Sequence, residues 1–325
     1  MSIAILAPGM LTSVQDGGRH GSHALGVRVG GAVDLYSFRI ANLLVGNDPN
    51  AAVLEITLTG PTIRLHRAAT IALCGAAIDA HVEGIALPGW RPMTLPAGCT
   101  LALGACRRGA RAYVAFDGGI DVQVVLGGRS TDLRAGFGGH HGRALRAGDS
   151  LSLGKPRTAI TGANAPDASG PPRIAAWWID SASDLDFADS IAVRVLPASD
   201  AALPVDALCA QDFAIDAASD RQGLRLRGTP LQCFDARERI SEPVVPGTVQ
   251  LPPDGQPIVL LADAQTVGGY PRIGHVIAAD LPRLAQRRAG QHLRFVAVDR
   301  LQAQRANAEQ RARVARIALA IAARP

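Results

Sequence analysis

Short apolar runs separated by Gly and Pro set the pattern of the first half of the chain. Ile3–Leu6, Val53–Leu58, Thr62–Leu65, Thr70–Leu73, Ala77–Val82, Thr100–Leu103, Arg111–Phe116 and Ser150–Leu153 each have the length and composition of a β-strand. Turn formers such as Pro88-Gly89 and Pro96-Ala97-Gly98 punctuate them. One stretch changes period: Asp34 as N-cap, an apolar stripe of Leu35, Phe38 and Ala41, and Gly46 as stop predict a helix. From Lys155 to about Pro172 the periodicity is lost in Ala, Gly, Pro, Thr and Asn, which reads as a linker or long loop, with Trp177-Trp178 packed at the junction. A second β-rich block begins near Ile191, with runs at Val193–Leu196, Phe213–Ile215, Gly223–Leu226, Val244–Val249, Ile258–Leu261 and Leu293–Val298. It contains a helix from Asp280, its cap, to about Arg288, stopped by Gly290. Val314, Ile317, Ala318 and Ile321 recur at helical spacing in a tail from Leu301 to Ala323, predicting an amphipathic helix docked on the body or on a partner. The expectation is a mainly β protein with a few short helices, divided into residues 1–175, 176–300 and a C-terminal helix over 301–325.

Composition agrees with this reading and narrows the function. With 325 residues, 48% of them hydrophobic, the chain can bury the cores of two domains. No apolar run reaches the roughly 18 residues of a membrane helix, and the N-terminus lacks a basic segment ahead of a long apolar one, so we expect a cytoplasmic protein with no membrane role. Cys74, Cys99, Cys106, Cys209 and Cys233 show no CxxC spacing and read as small buried hydrophobes in a reducing compartment. The formal charge of +5 raises a nucleic-acid role, but the arginines are scattered and not interleaved with aromatics, so none is expected. Lys155 is the only lysine, in a Gly-Lys-Pro-Arg turn poorly suited to a biotinyl or Schiff-base lysine. His140-His141 lacks further ligands at metal spacing and HExxH is absent, so no metal is expected. Neither the phosphate-loop pattern nor a strand–GxGxxG–helix unit occurs.

Four polar clusters carry the candidate chemistry. The densest is Gly247 to Pro271, where Gln250, Asp254, Gln256, Asp263, Gln265 and Thr266 surround one short apolar run, Ile258–Leu261, and Tyr270 closes the segment. Glutamine amides offer a donor beside an acceptor, matching the N–H and C=O edge of a cyclic amide or urea. Asp263 is a candidate general base or acceptor, with Gln265 and Thr266 as orienting groups. Thr12 to Arg19 sets Gln15, Asp16 and Arg19 around a Gly17-Gly18 turn, either to grip a carboxylate or to brace the turn as an Asp–Arg pair. The Gly-rich stretch from Gly118 to Arg143 contains Arg129, Ser130 and Thr131; its glycines form tight turns or an anion-binding nest. Ser219-Asp220-Arg221, just before a strand, either cap a turn or touch a ligand.

Read together, Gln15–Arg19, Gly118–Thr131, Gly142–Asp149, Ser219–Leu226 and Gly247–Pro271 with Ala278-Ala279-Asp280 resemble a family known under three descriptions: the 5-oxoprolinase C subunit, allophanate hydrolase subunit 2 and the biotin-dependent carboxyltransferase domain. The resemblance spans about Pro8 to Val298. It departs at Val267, where the family has a second Thr, at Val33, where Met is common, and at Ala289-Gly290-Gln291. It implies two cyclophilin-like β-barrels and association with a homologous B subunit and an A subunit. Such a complex uses ATP to open 5-oxoproline to L-glutamate. On this reading Asp263, Gln265, Thr266 and Tyr270 are catalytic. Gln15, Asp16, Arg19, Arg129, Ser130, Ser219, Asp220, Arg221, Gln250, Asp254 and Gln256 bind substrate, with Arg19 or Arg221 on its carboxylate. The sequence does not place the ATP site, which lies in a partner subunit or at an interface. Two alternatives come with the family: a carboxyltransferase subunit of a urea carboxylase-type enzyme, with biotin carried by another protein, and a non-catalytic partner of a kinase-inhibiting B-type subunit.

Overall fold

The computed structural model describes residues 1–155, 170–199, 203–232 and 240–324. Most of the expected linker, and Cys233, lie outside these. The fold is mainly β, as the sequence pattern predicts. It divides into two compact units: Met1–Arg19, Asp34–Leu185 and the chain from Val314 on; and His20–Val33 with Asp186–Arg313. This grouping places residues 20–33 with the second unit, where Val33 joins the apolar core and the Gly30 N–H donates to the Ala262 carbonyl at 3.1 Å.

The first unit is built on an eleven-stranded sheet whose centre is the antiparallel pair Ala69–Val82 and Thr100–Phe116. The sequence pattern divides each of these into two shorter runs. In the fold each is continuous, because shifts of register between Gly75 and Ala80 absorb the residues that break the alternation. Strands Leu11–Gln15 and Pro92–Leu95, hidden in polar or Pro-bearing sequence, complete the sheet alongside the expected ones. Ile5, Leu54, Ile56, Ile63, Val114 and Phe116 anchor its core. Helix Leu35–Leu44 begins as predicted: Asp34 accepts from the Ser37 N–H at 2.9 Å and the Ser37 hydroxyl at 2.6 Å. Trp178 is exposed and lies under the Arg91 guanidinium, rather than packing into an apolar junction.

The second unit is a closed barrel in the order Ser190–Pro197, Arg272–Val276, Thr248–Gln250, Ile258–Leu260, Gly223–Arg227, Asp212–Ile215, His292–Ala297, and back to the first. Closure is made by a parallel pairing, Ser190↔His292 to Val195↔Ala297. Alternation puts Leu224, Leu226, Val249 and Val259 inside, with Phe213 and Phe295 edge to face at 5.9 Å. The expected strand Val244–Val249 shortens to Thr248–Gln250, since Gly247 takes φ +94° beside Pro246. Strand Arg272–Val276 is not legible in the sequence, because Gly274 and two charged or polar residues interrupt its apolar pattern.

The helix expected from Asp280 is one short turn and a half, Leu281–Ala285, and Asp280 makes no side-chain cap. Its fully buried carboxylate instead accepts from the Arg194 backbone N–H at 2.7 Å and from the Arg194 guanidinium at 3.0 and 2.6 Å. Two strong donors on one neighbouring residue outcompete a local cap. The C-terminal helix runs Arg300–Ala322. Its stripe includes Ala303 and Ala306 against Ile277 and Ala279, while Asn307 and Gln310 hold the Ala279 peptide at 2.8 and 2.9 Å. Among the described residues no helix is long and apolar enough to cross a membrane.

Candidate functional site

The first unit gathers five of the predicted residues into one network. Gln15 and Asp16 follow strand Leu11–Gln15 into the Gly17-Gly18 turn, and both are buried rather than projecting. The Asp16 carboxylate accepts from the Gly18 N–H at 2.9 Å, from the Arg129 N–H and from the Ser130 hydroxyl, whose oxygen also receives the Asp16 N–H at 3.0 Å. Arg19 is the largest fully buried side chain among the described residues. It donates to the carbonyls of Val125 (3.0 Å) and Ser130, and its guanidinium faces the Phe137 ring at 4.6 Å. Arg129 donates to the Val122 carbonyl. The charges of this turn pin the 122–131 loop. The surrounding glycines are there for close approach. A Cβ on Gly138, at φ +71°, would stand 2.1 Å from Arg19 Nη2. Gln15 donates to Ser13 Oγ and to the Thr131 carbonyl, leaving its buried Oε1 without a partner.

In the second unit Arg221 and Asp263 form a two-point ion pair at 2.8 and 3.0 Å, both buried. Arg221 also donates to the Gly31 carbonyl at 2.6 Å, and the Asp263 N–H returns to the Arg221 carbonyl. Both oxygens of Asp263 are thus held by a cation, and the carboxylate braces the loop. Ser219 and Asp220 are turn-cappers. Ser219 Oγ receives the Arg225 N–H at 3.0 Å, and Asp220 accepts from the N–H groups of Gln222 and Gly223. Gln256 reads a peptide edge as its amide suggested, but the edge belongs to Gly228: N–H to Oε1 at 2.9 Å, Nε2 to carbonyl at 3.1 Å.

Two features of this unit stay open. Gln265 donates to Gln250 Oε1 at 3.3 Å, and Gln250 Nε2 is buried with no acceptor. Gly268 lies over it so closely that a Cβ there would come within 2.5 Å. Thr266 is buried and its carbonyl holds the Val244 N–H, while Tyr270 is 48% exposed. The second feature is a cleft of about 410 Å³ on the outer barrel wall, lined by Arg225, Arg227, Asp254, Gln256, Ile258 and Tyr270 with Pro252, Pro253 and Pro257. Asp254 enters it from a turn where one oxygen accepts the Gln256 N–H at 3.0 Å. Among the described residues no cluster of three or more His, Cys, Asp or Glu is arranged to hold a metal. The family model for the carboxyltransferase domain, subdomains A and B, matches residues 25–297.

The chain belongs to that family. It is 40% identical over 313 residues to the 5-oxoprolinase C subunit of Escherichia coli (strain K12), covering 95% of both chains. It is 32% identical over 299 residues to the protein of the same name from Haemophilus influenzae, covering 88% of both. Among solved structures it superposes on the urea carboxylase of Kluyveromyces lactis with a TM-score of 0.83 and 26% identity, over 97% of this chain and 29% of that one. The carboxyltransferase domain is thus also found inside a much longer chain.

Arg225 and Arg227 are cleft residues that the sequence pattern presents only as part of a strand. Their signal lies in Gly223-Leu-Arg-Leu-Arg, whose period of two sends both leucines inward and both arginines to the outer face.

Proposed function

We propose that this chain is the C subunit of an ATP-dependent 5-oxoprolinase, working in the cytoplasm with a homologous B subunit and an A subunit to open 5-oxoproline to L-glutamate. The observation that carries the reading is the 40% identity over 95% of both chains with a protein of that name. The unfilled amide at Gln250 supports it chemically. A buried N–H donor without an acceptor costs stability, and a lactam carbonyl would satisfy it. In ring opening the C–N bond of the lactam breaks, the water oxygen joins the carbonyl carbon, and a proton passes to the departing nitrogen. Gln250, braced by Gln265, holds the lactam carbonyl, Thr266 supports the segment through Val244, and the exposed Tyr270 hydroxyl donates or relays a proton. Asp263 and Arg221 position this segment. Gln15, Asp16, Arg19, Arg129 and Ser130 do the same for the 122–131 loop. An unstrained amide hydrolyses slowly, so coupling to ATP is chemically reasonable. The sequence carries no phosphate loop, so ATP is assigned to a partner subunit or an interface with one.

A second reading, a carboxyltransferase subunit served by biotin on another protein, draws on the superposition with the Kluyveromyces lactis urea carboxylase. One experiment separates the two. The three purified subunits are mixed and 5-oxoproline-dependent ADP release is measured with and without this chain. Turnover that requires it supports the first reading. Turnover that is unchanged on its omission sinks it.

A further inference from the structure

The outer wall of the second barrel carries a cation that no carboxylate among the described residues neutralises by direct contact. Strand pairing sets Gln250 opposite Ile258, and Ile258 opposite Arg225, so the three form one row across neighbouring strands. Leu224 and Val259 in the adjoining row point inward, which sends Arg225 out into the 410 Å³ cleft. There the two arginines differ. Arg227 is bound to Asp216, whose carboxyl is held below its ordinary range first by the Ala218 N–H and then by that guanidinium. Arg225 makes no side-chain hydrogen bond or ion pair among the described residues. In the same cleft, among the described residues, Asp254 keeps one oxygen free beside the Gln256 N–H it already accepts, Tyr270 offers an unbonded hydroxyl, and prolines form the apolar walls.

We infer that Arg225 is a specificity-determining residue that binds the carboxylate of a small cyclic amide in this cleft. The complementarity is specific in kind. A planar guanidinium fits a carboxylate at two points, the free Asp254 oxygen accepts a ring N–H, and proline faces cover ring methylenes without demanding hydrogen bonds. Arg19 and Arg221, by contrast, are buried and engaged with their own loops. The inference rests on the proposed substrate class and adds the residue that would distinguish 5-oxoproline from a lactam lacking its carboxylate.

The test uses the full chain and two probes that differ only in that group, 5-oxoproline and 2-pyrrolidone, titrated calorimetrically. We expect 5-oxoproline to bind about tenfold or more tighter. Arg225→Ala should erase that preference while leaving 2-pyrrolidone unchanged, and Arg225→Lys should recover part of it. Arg225 is exposed, so neither variant threatens folding, and a matching thermal melt checks this. In the assembled complex Arg225→Ala should raise KM for 5-oxoproline with little change in kcat. Equal affinity for the two probes, no measurable binding, or a preference that survives Arg225→Ala overturns the inference. A carboxylate preference that depends on Arg225, in a complex whose turnover does not need this chain, upholds the cleft and rejects the proposed function. Turnover that needs this chain, with a KM indifferent to Arg225, rejects the cleft alone.

Discussion

The two units each hold an arginine and an aspartate beside glutamines, and they use them differently. In the first, Asp16 and Arg19 bind mostly backbone and hydroxyl groups of residues 125–130, and one atom, Gln15 Oε1, is left over. In the second, Arg221 and Asp263 bind one another, and the same unit holds groups without a partner among the described residues: Gln250 Nε2, the Arg225 guanidinium and the Tyr270 hydroxyl. A polar network that consumes its own donors and acceptors holds a loop in place. One that leaves strong donors unused next to a cleft is equipped to take a ligand. Residue type does not separate the two; hydrogen-bond accounting does.

That comparison breaks most visibly at the Arg221–Asp263 pair. Arg221→Ala strands a buried carboxylate and should cost about 3–5 kcal/mol in urea denaturation. A loss below about 1 kcal/mol, the range of surface pairs, would mean the pair is no brace. Next in size, Asp16→Ala removes the acceptor of several hydrogen bonds and should cost about 2–3 kcal/mol. Activity should be lost in that variant only to the extent that folding is lost.

The sharper contrast lies between glutamines. Gln250→Leu deletes an unfilled donor and should change stability by less than about 1 kcal/mol, while turnover of the assembled complex falls about tenfold or more. Gln256→Ala, which cuts two bonds to the Gly228 peptide, should do the reverse, costing about 1–2 kcal/mol with turnover per folded molecule retained. Equal activity losses in both would erase the distinction. The smallest effect is at Asp149 of the first unit. Hydrogen bonds from Arg143 hold its carboxyl well below the usual range, with the Arg146 N–H adding to this. A folded-state value below the unfolded one, about 3.9 for Asp, stabilises the protein above that pH, and the contribution fades as pH falls through the folded-state value. The stability gap between wild type and Asp149→Asn should therefore be constant above about pH 5 and shrink below about pH 4. A gap independent of pH would show that the pairing contributes nothing.

Local pattern carried much of the fold. Helix Leu35–Leu44 starts at the Asp34 cap read from sequence, and the C-terminal helix and most strands stand within a residue or two of their apolar runs. The failures share a cause. Thr100–Phe116 looks like two strands because Gly104 and the charged Arg107-Arg108 interrupt it, yet pairing with Ala69–Val82 extends through the gap. Asp280 looks like a cap until Arg194, 86 positions away, claims its carboxylate.

The sequence alone determined the family, the mainly β class, and which segments carry amides, acids and arginines, because these depend on composition and short-range period. Only the tertiary structure decided which of those groups were already spent. Nothing local reveals that Asp263, Arg221, Arg19 and Gln256 are paired. Their partners lie tens to more than a hundred positions away, and only folding brings them within hydrogen-bond reach.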